Sequence, residues 1–293
     1  MPSVNVVNGK QIVVENAGPV GRLVGFFIKP FAQMWHHQDL IAAILRREMS
    51  ERFKGSIAGW VWAVVAPLMA IAVYTFVFSS KLELPSEYLL TKDPSTSYAL
   101  FILSGIVVFN FWSEMAFRAP MLLHEYTHFI KQTIFPSDML AVISTLRATA
   151  YTLISITVLL IFQFSVVHTL PVTVLLLPFV VIPFIAFLIG MSWFLCAIGA
   201  FTRDAGYLMI NIAPLFMFAT PVFYPHSVLP EPFHFWVYAN ALTGYVDVMR
   251  DIVLVGKVPD WHVYVWTLAT SVFTFYFGYW FFDRYRNVIV DVI

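Results

Sequence analysis

Residues 121 to 140 read MLLHEYTHFIKQTIFPSDML, and within them His124, Glu125 and His128 spell HExxH. On one helix, two histidines four residues apart share a face and can hold zinc while the intervening glutamate activates a zinc-bound water. That chemistry would make the chain a peptidase. The longer zinc-protease pattern needs glycine at 131 and histidine at 134, positions that hold Lys131 and Ile134. Glu231 is the only glutamate after Glu125, so a third ligand falls to an aspartate such as Asp138.

Whether such residues can meet depends on the elements that carry them. Hydrophobic residues make up 60% of the 293 and charged ones only 12%, against roughly 25% charged in soluble domains. Apolar runs fit for a bilayer core, about 20 residues each, fall at 57–80, 98–117, 141–167, 172–200, 206–224 and 262–282. Basic residues are retained in the cytosol. An N-inside arrangement leaves only Lys81, Lys92, Arg250 and Lys257 on the far side, of 17 lysines and arginines in all. Both termini are then cytosolic, HEYTH lies in the cytosolic turn between spans two and three, and Glu231 is across the membrane from it. Zero formal net charge argues against nucleic acid as a partner. Cys196, the sole cysteine, falls within the fourth span and has no intrachain disulfide partner.

Residues 1–30 carry no apolar core ahead of a small-residue cleavage site, so the first span is expected to insert itself. Within this cytosolic segment VNVVNGKQIVVE alternates β-branched residues around Asn8-Gly9, the pattern of a tight hairpin or of a tail left unpaired. Over 31–56, Ile41, Ile44, Leu45, Met49 and Phe53 recur at helical spacing while Arg46, Arg47, Glu48, Glu51 and Arg52 take other faces. That predicts an amphipathic helix on the membrane interface. Glu114 and Arg118, one turn apart, are expected to pair. Asn110, Gln163 and Asn211 either line a path or bond between helices. Residues 221–261 hold apolar stretches too short to cross, broken by prolines and Asn240, which predicts re-entrant helices.

Five blocks then occur in order: RREMSERFKGSIAGWVWAVVAPLMAIAVYTFVFS, LSGIVVFNFW, FIKQTIFPSDML, FTRDAG and TPVFYPHSVLP. Through them residues 40–290 resemble the permease subunit of the ABC polysaccharide exporters, which move O antigens, capsular polymers and teichoic acids. The chain departs from that family at Ile106-Val107 and Asn240-Ala241, where the family commonly carries proline second. The expected fold is an all-α integral membrane protein with six transmembrane helices in a permease domain over 57–293, an N-terminal interface helix, and re-entrant helices between spans five and six. The resemblance implies a bacterial inner-membrane protein, a second copy of the chain, two copies of a nucleotide-binding ATPase subunit, and a lipid-linked polysaccharide as cargo. It makes the turn holding His124, Glu125, Tyr126, His128, Lys131 and Phe135 the coupling helix against the ATPase. Arg203 and Asp204, alone in the short turn after span four, are expected to join it or to anchor topology. Gly9-Lys10 and Gly256-Lys257 lack the rest of a phosphate loop, so no cofactor is expected on this chain, and ATP and Mg belong to the partner. Tyr74, Phe78, Phe216, Phe218, Phe223 and Tyr224 are candidates to line a sugar channel, because ring faces stack on pyranoses; the alternative is that they face lipid. Export of a lipid or drug, and a membrane zinc hydrolase working through HEYTH, are the rival functions.

Overall fold

The structure, a computed structural model, describes residues 3–7, 10–14, 19–51, 54–78, 84–132, 136–226 and 229–292. The chain forms two units, Met1–Ala42 and Ala43–Ile293. In the first, β1 (Ser3–Val7) pairs antiparallel with β2 (Lys10–Val14), Val7 opposite Lys10. Helix α1 (Pro19–His36) follows, and α2 (Gln38–Glu51) leads into the second unit.

The second unit is helical. Its elements are α3 (Trp62–Phe78), α4 (Pro94–Glu125), α5 (Thr127–Gln132), α6 (Asp138–Val167), α7 (Leu177–Phe201), α8 (Asp204–Ala219), α9 (Glu231–Ala239), α10 (Ala241–Arg250) and α11 (Trp261–Val292). Among the described residues α4, α6 and the stretch 172–201 are long and apolar enough to cross a bilayer. α11 matches α4 in length at 32 residues, but much of its apolar surface is Trp and Tyr, whose polar ends keep its hydropathy low. α3 and α8 run 17 and 16 residues.

α4 starts where the sequence instructs it to. Asp93 accepts hydrogen bonds from the amides of Ser95 and Thr96 at 3.2 and 3.3 Å, and Pro94 occupies the first turn, where its missing N–H costs nothing. The Thr96 hydroxyl, donating at 2.6 Å, holds the Asp93 carboxyl below its usual range. α4 is the central rod, with Leu100, Phe101, Ile102, Met115 and Leu122 fully buried against α6, α7, α8 and α10.

The most extensive helix contact among the described residues is α7 against α11. A Cβ on Gly278 would lie 1.9 Å from the Gly190 carbonyl oxygen, so only glycine lets the two backbones touch. Small residues at a crossing are how apolar helices associate where burial from water supplies little drive.

At the other end of α4 the chain after α8 is pinned. Arg250, assigned to the outer side from the sequence, is 1% exposed. Its guanidinium donates to the carbonyls of Pro221 and Val222 at 2.7 and 2.8 Å and lies 3.6 Å over the Phe101 ring. Asn240 ends α9 and starts α10, accepting from the Leu242 amide at 3.0 Å while donating to Thr220 Oγ1 at 2.8 Å.

Candidate functional site

HEYTH does not lie on one helix. α4 ends at Glu125, Tyr126 takes φ −105 and ψ 15, and α5 begins at Thr127, so the shared face that would hold zinc is interrupted. His124 points its Nε2 at the Gly199 carbonyl of α7, donating at 3.0 Å. Gly199 is suited to that approach, since α4 and α7 nearly touch there: a Cβ would meet the Pro120 oxygen at 1.9 Å. Glu125 reaches back to Arg118 at 3.4 Å. His128 is exposed beside Phe129. Among the described residues no three His, Cys, Asp or Glu side chains are placed to hold a metal ion.

Beneath this turn lies an ionic cluster whose centre was read from the sequence as part of the charged face of an interface helix. Glu48 of α2 is 6% exposed. It accepts a two-point bond from Arg118 of α4, at 3.1 and 3.2 Å, and the hydroxyl of Tyr126. Arg147 of α6 comes within 3.5 Å of it and donates to Glu114 at 3.1 Å. The pair expected within α4 is thus replaced: Glu114 goes to α6 and Arg118 to α2. A planar guanidinium gains more from a forked carboxylate on a neighbouring helix than from a single contact one turn away. Burial, followed by the bond to Glu48, pushes the Tyr126 hydroxyl up to about 12. The Tyr126 hydroxyl therefore stays protonated and donates.

A second tie secures the start of α6. Asp138, 1% exposed, meets Arg286 of α11 at 2.8 Å, and its carbonyl accepts from Trp193 of α7 at 2.8 Å. Around both ties the remaining surface candidates are open: Lys131, Arg203 and Asp204 are exposed, with the Asp204 amide bonded to Thr202 Oγ1 at 3.2 Å. Phe135 lies outside the described residues, as do the side chains of Tyr74 and Phe78 on α3.

The four aromatics at the end of α8 divide. Phe216 stacks on Trp112 of α4 at 5.2 Å, whereas Phe218 is 63% exposed and faces Phe223 at 5.7 Å. The Tyr224 hydroxyl donates to the Phe218 carbonyl at 2.7 Å. Glu48, Arg147 and Arg250 are the residues that sequence reasoning missed. Arg147, a charge within the apolar run 141–167, carried the available signal, because such charges take partners.

The ABC-2 type transporter family model matches residues 39–254. The O-antigen export system permease protein RfbA of Klebsiella pneumoniae is 23% identical over 221 residues, 75% of this chain and 82% of its own length. The protein of that name from Myxococcus xanthus is 19% identical over 268 residues, 91% of this chain and 100% of its own. A family of membrane permeases accounts for the long apolar helices. The chain belongs to the ABC-2 type transporter family.

Proposed function

We propose that the chain is the permease of an ATP-driven exporter of lipid-linked polysaccharide, working as two copies with two nucleotide-binding subunits in a bacterial inner membrane. α3, α4, α6, α7, α8 and α11 are its six spans and both termini are cytosolic. α9 and α10, of 9 and 10 residues, reach roughly 15 Å each, half a bilayer core, which suits re-entrant helices. The names of the relatives support the cargo.

One observation carries the mechanism. Glu48 joins α2, α4 and α6 directly under the turn of His124 to Lys131, through Arg118, Arg147 and Tyr126. A push by the ATPase on that turn is delivered to three helices together instead of being absorbed by one. His124, Glu125, Tyr126, His128 and Lys131 form the docking turn, which Phe135 joins by sequence, and Arg203 and Asp204 are the further candidates for contact with the ATPase. At the outer end Phe218, Phe223 and Tyr224, with Phe216, offer ring faces to sugars; Tyr74 and Phe78 remain candidates from the sequence alone.

The test is reconstitution with the partner ATPase in vesicles. Lipid-diphosphate-linked glycan should stimulate ATP hydrolysis and cross the membrane only with ATP. Stimulation by simple lipids or drugs and none by the glycan would replace the cargo; no stimulation by any of them would sink the transport reading.

A further inference from the structure

A cavity of 870 Å³ opens between α2, α3, α4 and α6, within the range of small-molecule sites, about 300 to 1,000 Å³. Its α4 wall runs from Leu103 to Arg118, roughly 22 Å at 1.5 Å per residue, against about 15 Å for one leaflet of hydrocarbon. Polarity is graded along it. One end holds Glu48, Glu114, Arg118 and Arg147; Asn110 lies midway; Leu103, Ile106 and Val107 make the α4 side of the far end, with the Ser155 hydroxyl of α6 near them. The α3 wall is formed by Ala63, Ala66 and Ala70 with Pro67 among them, and by Trp62 at the start of the helix. Ionisable groups at membrane depth that line a cavity mark a place for a polar ligand, and this gradient fits a ligand with one charged end and one apolar end.

The charges choose the head group. The lining carries three carboxylates, of Glu48, Glu51 and Glu114, against two guanidiniums, of Arg118 and Arg147; Glu51, paired with Arg47 at 3.8 Å, and Glu114 keep 56% and 25% side-chain exposure, Arg118 and Arg147 17% and 14%. A purely anionic head would meet carboxylates first. An ammonium with N–H donors bonds Glu51 and Glu114, and a phosphate next to it reaches the guanidiniums. With the orientation adopted under the transport reading, the ionic end faces the cytosol. We propose that this cavity seats one ethanolamine phospholipid of the cytosolic leaflet, its head on the ionic cluster and one acyl chain along the alanines of α3.

The experiment uses the purified full chain, without ATPase or cargo, so it stands or falls separately from export. The chain is reconstituted in nanodiscs containing phosphatidylethanolamine, phosphatidylcholine and phosphatidylglycerol, extracted gently, and its retained lipid counted by native mass spectrometry. One phosphatidylethanolamine per chain is expected. Ala66→Trp, which fills the cavity, should cut retention about tenfold, and Ala70→Leu repeats the test with a milder change should the first variant fail to fold. Glu114→Gln should erase most of the preference for ethanolamine over choline. Retention of phosphatidylglycerol, equal retention of all three, or unchanged retention in both cavity variants would overturn the proposal. Displacement of the bound lipid by lipid-diphosphate-linked glycan would also overturn it, and would give the cavity to the cargo.

Discussion

Glu48 draws two arginines and a tyrosine onto one carboxylate, bonding Arg118 and Tyr126 and lying 3.5 Å from Arg147, so its removal has consequences beyond one bond. Breaking a buried ion pair from one side typically costs about 3 to 5 kcal/mol, because the remaining charge is stranded. Glu48→Ala is therefore expected to lower the melting temperature of the purified chain sharply, and Glu48→Gln, which keeps an acceptor for Tyr126, to lower it less. Equal melting for wild type and both variants would show that the cluster is not a structural tie. A second residue reports on pH. His226 Nδ1 lies 3.7 Å from Asp247, whose carboxylate holds the imidazolium above the usual histidine value of 6.5. A raised value in the folded state means stabilisation that is whole below pH 6.5 and lost as pH climbs through the raised value. Over that window wild type should lose thermal stability more steeply than His226→Gln; parallel slopes would remove the pair from the account.

Among the elements, α7 and α11 are joined by backbone, and side-chain adjustment cannot rescue a substitution there. Gly278→Leu would drive a side chain into the Gly190 carbonyl, at a cost above about 4 kcal/mol, and should be seen as loss of folded protein on size-exclusion chromatography. A monodisperse, folded Gly278→Leu would mean that the crossing is looser than described. The elements themselves were legible where apolar runs are long: α6 begins three residues before its expected span and ends with it, while α4 contains its expected span and runs eight residues past it. Less was legible where a helix carries charge on several faces. Arg46, Arg47, Glu48 and Glu51 crowd two turns of α2, and spacing shows which residues share a face without showing what stands opposite it. Arg250 was hidden for the same reason. Its partners are main-chain carbonyls and a ring face, and neither leaves a complementary charge in the sequence.

For the whole molecule, the docking reading makes a demand on the exposed turn after α7. Exchanging Arg203 and Asp204 keeps net charge and hardly touches the core, since both are exposed; it should preserve melting and reduce ATPase stimulation severalfold in the reconstituted complex. Unchanged stimulation would leave these residues a purely topological role. The ionic ties also have a direction in time. Chains are made from the N-terminus, and Glu48 precedes Arg118 and Arg147, Glu114 precedes Arg147, and Asp138 precedes Arg286. A carboxylate that reaches the bilayer early can wait there with a proton on it, whereas an arginine stays charged. Each of these guanidiniums thus emerges from the ribosome with an acid already in place to receive it. Glu48→Ala should accordingly lower the pulse-labelled yield of inserted chain, because Arg118 would arrive at a membrane in which its receiver had never been laid down.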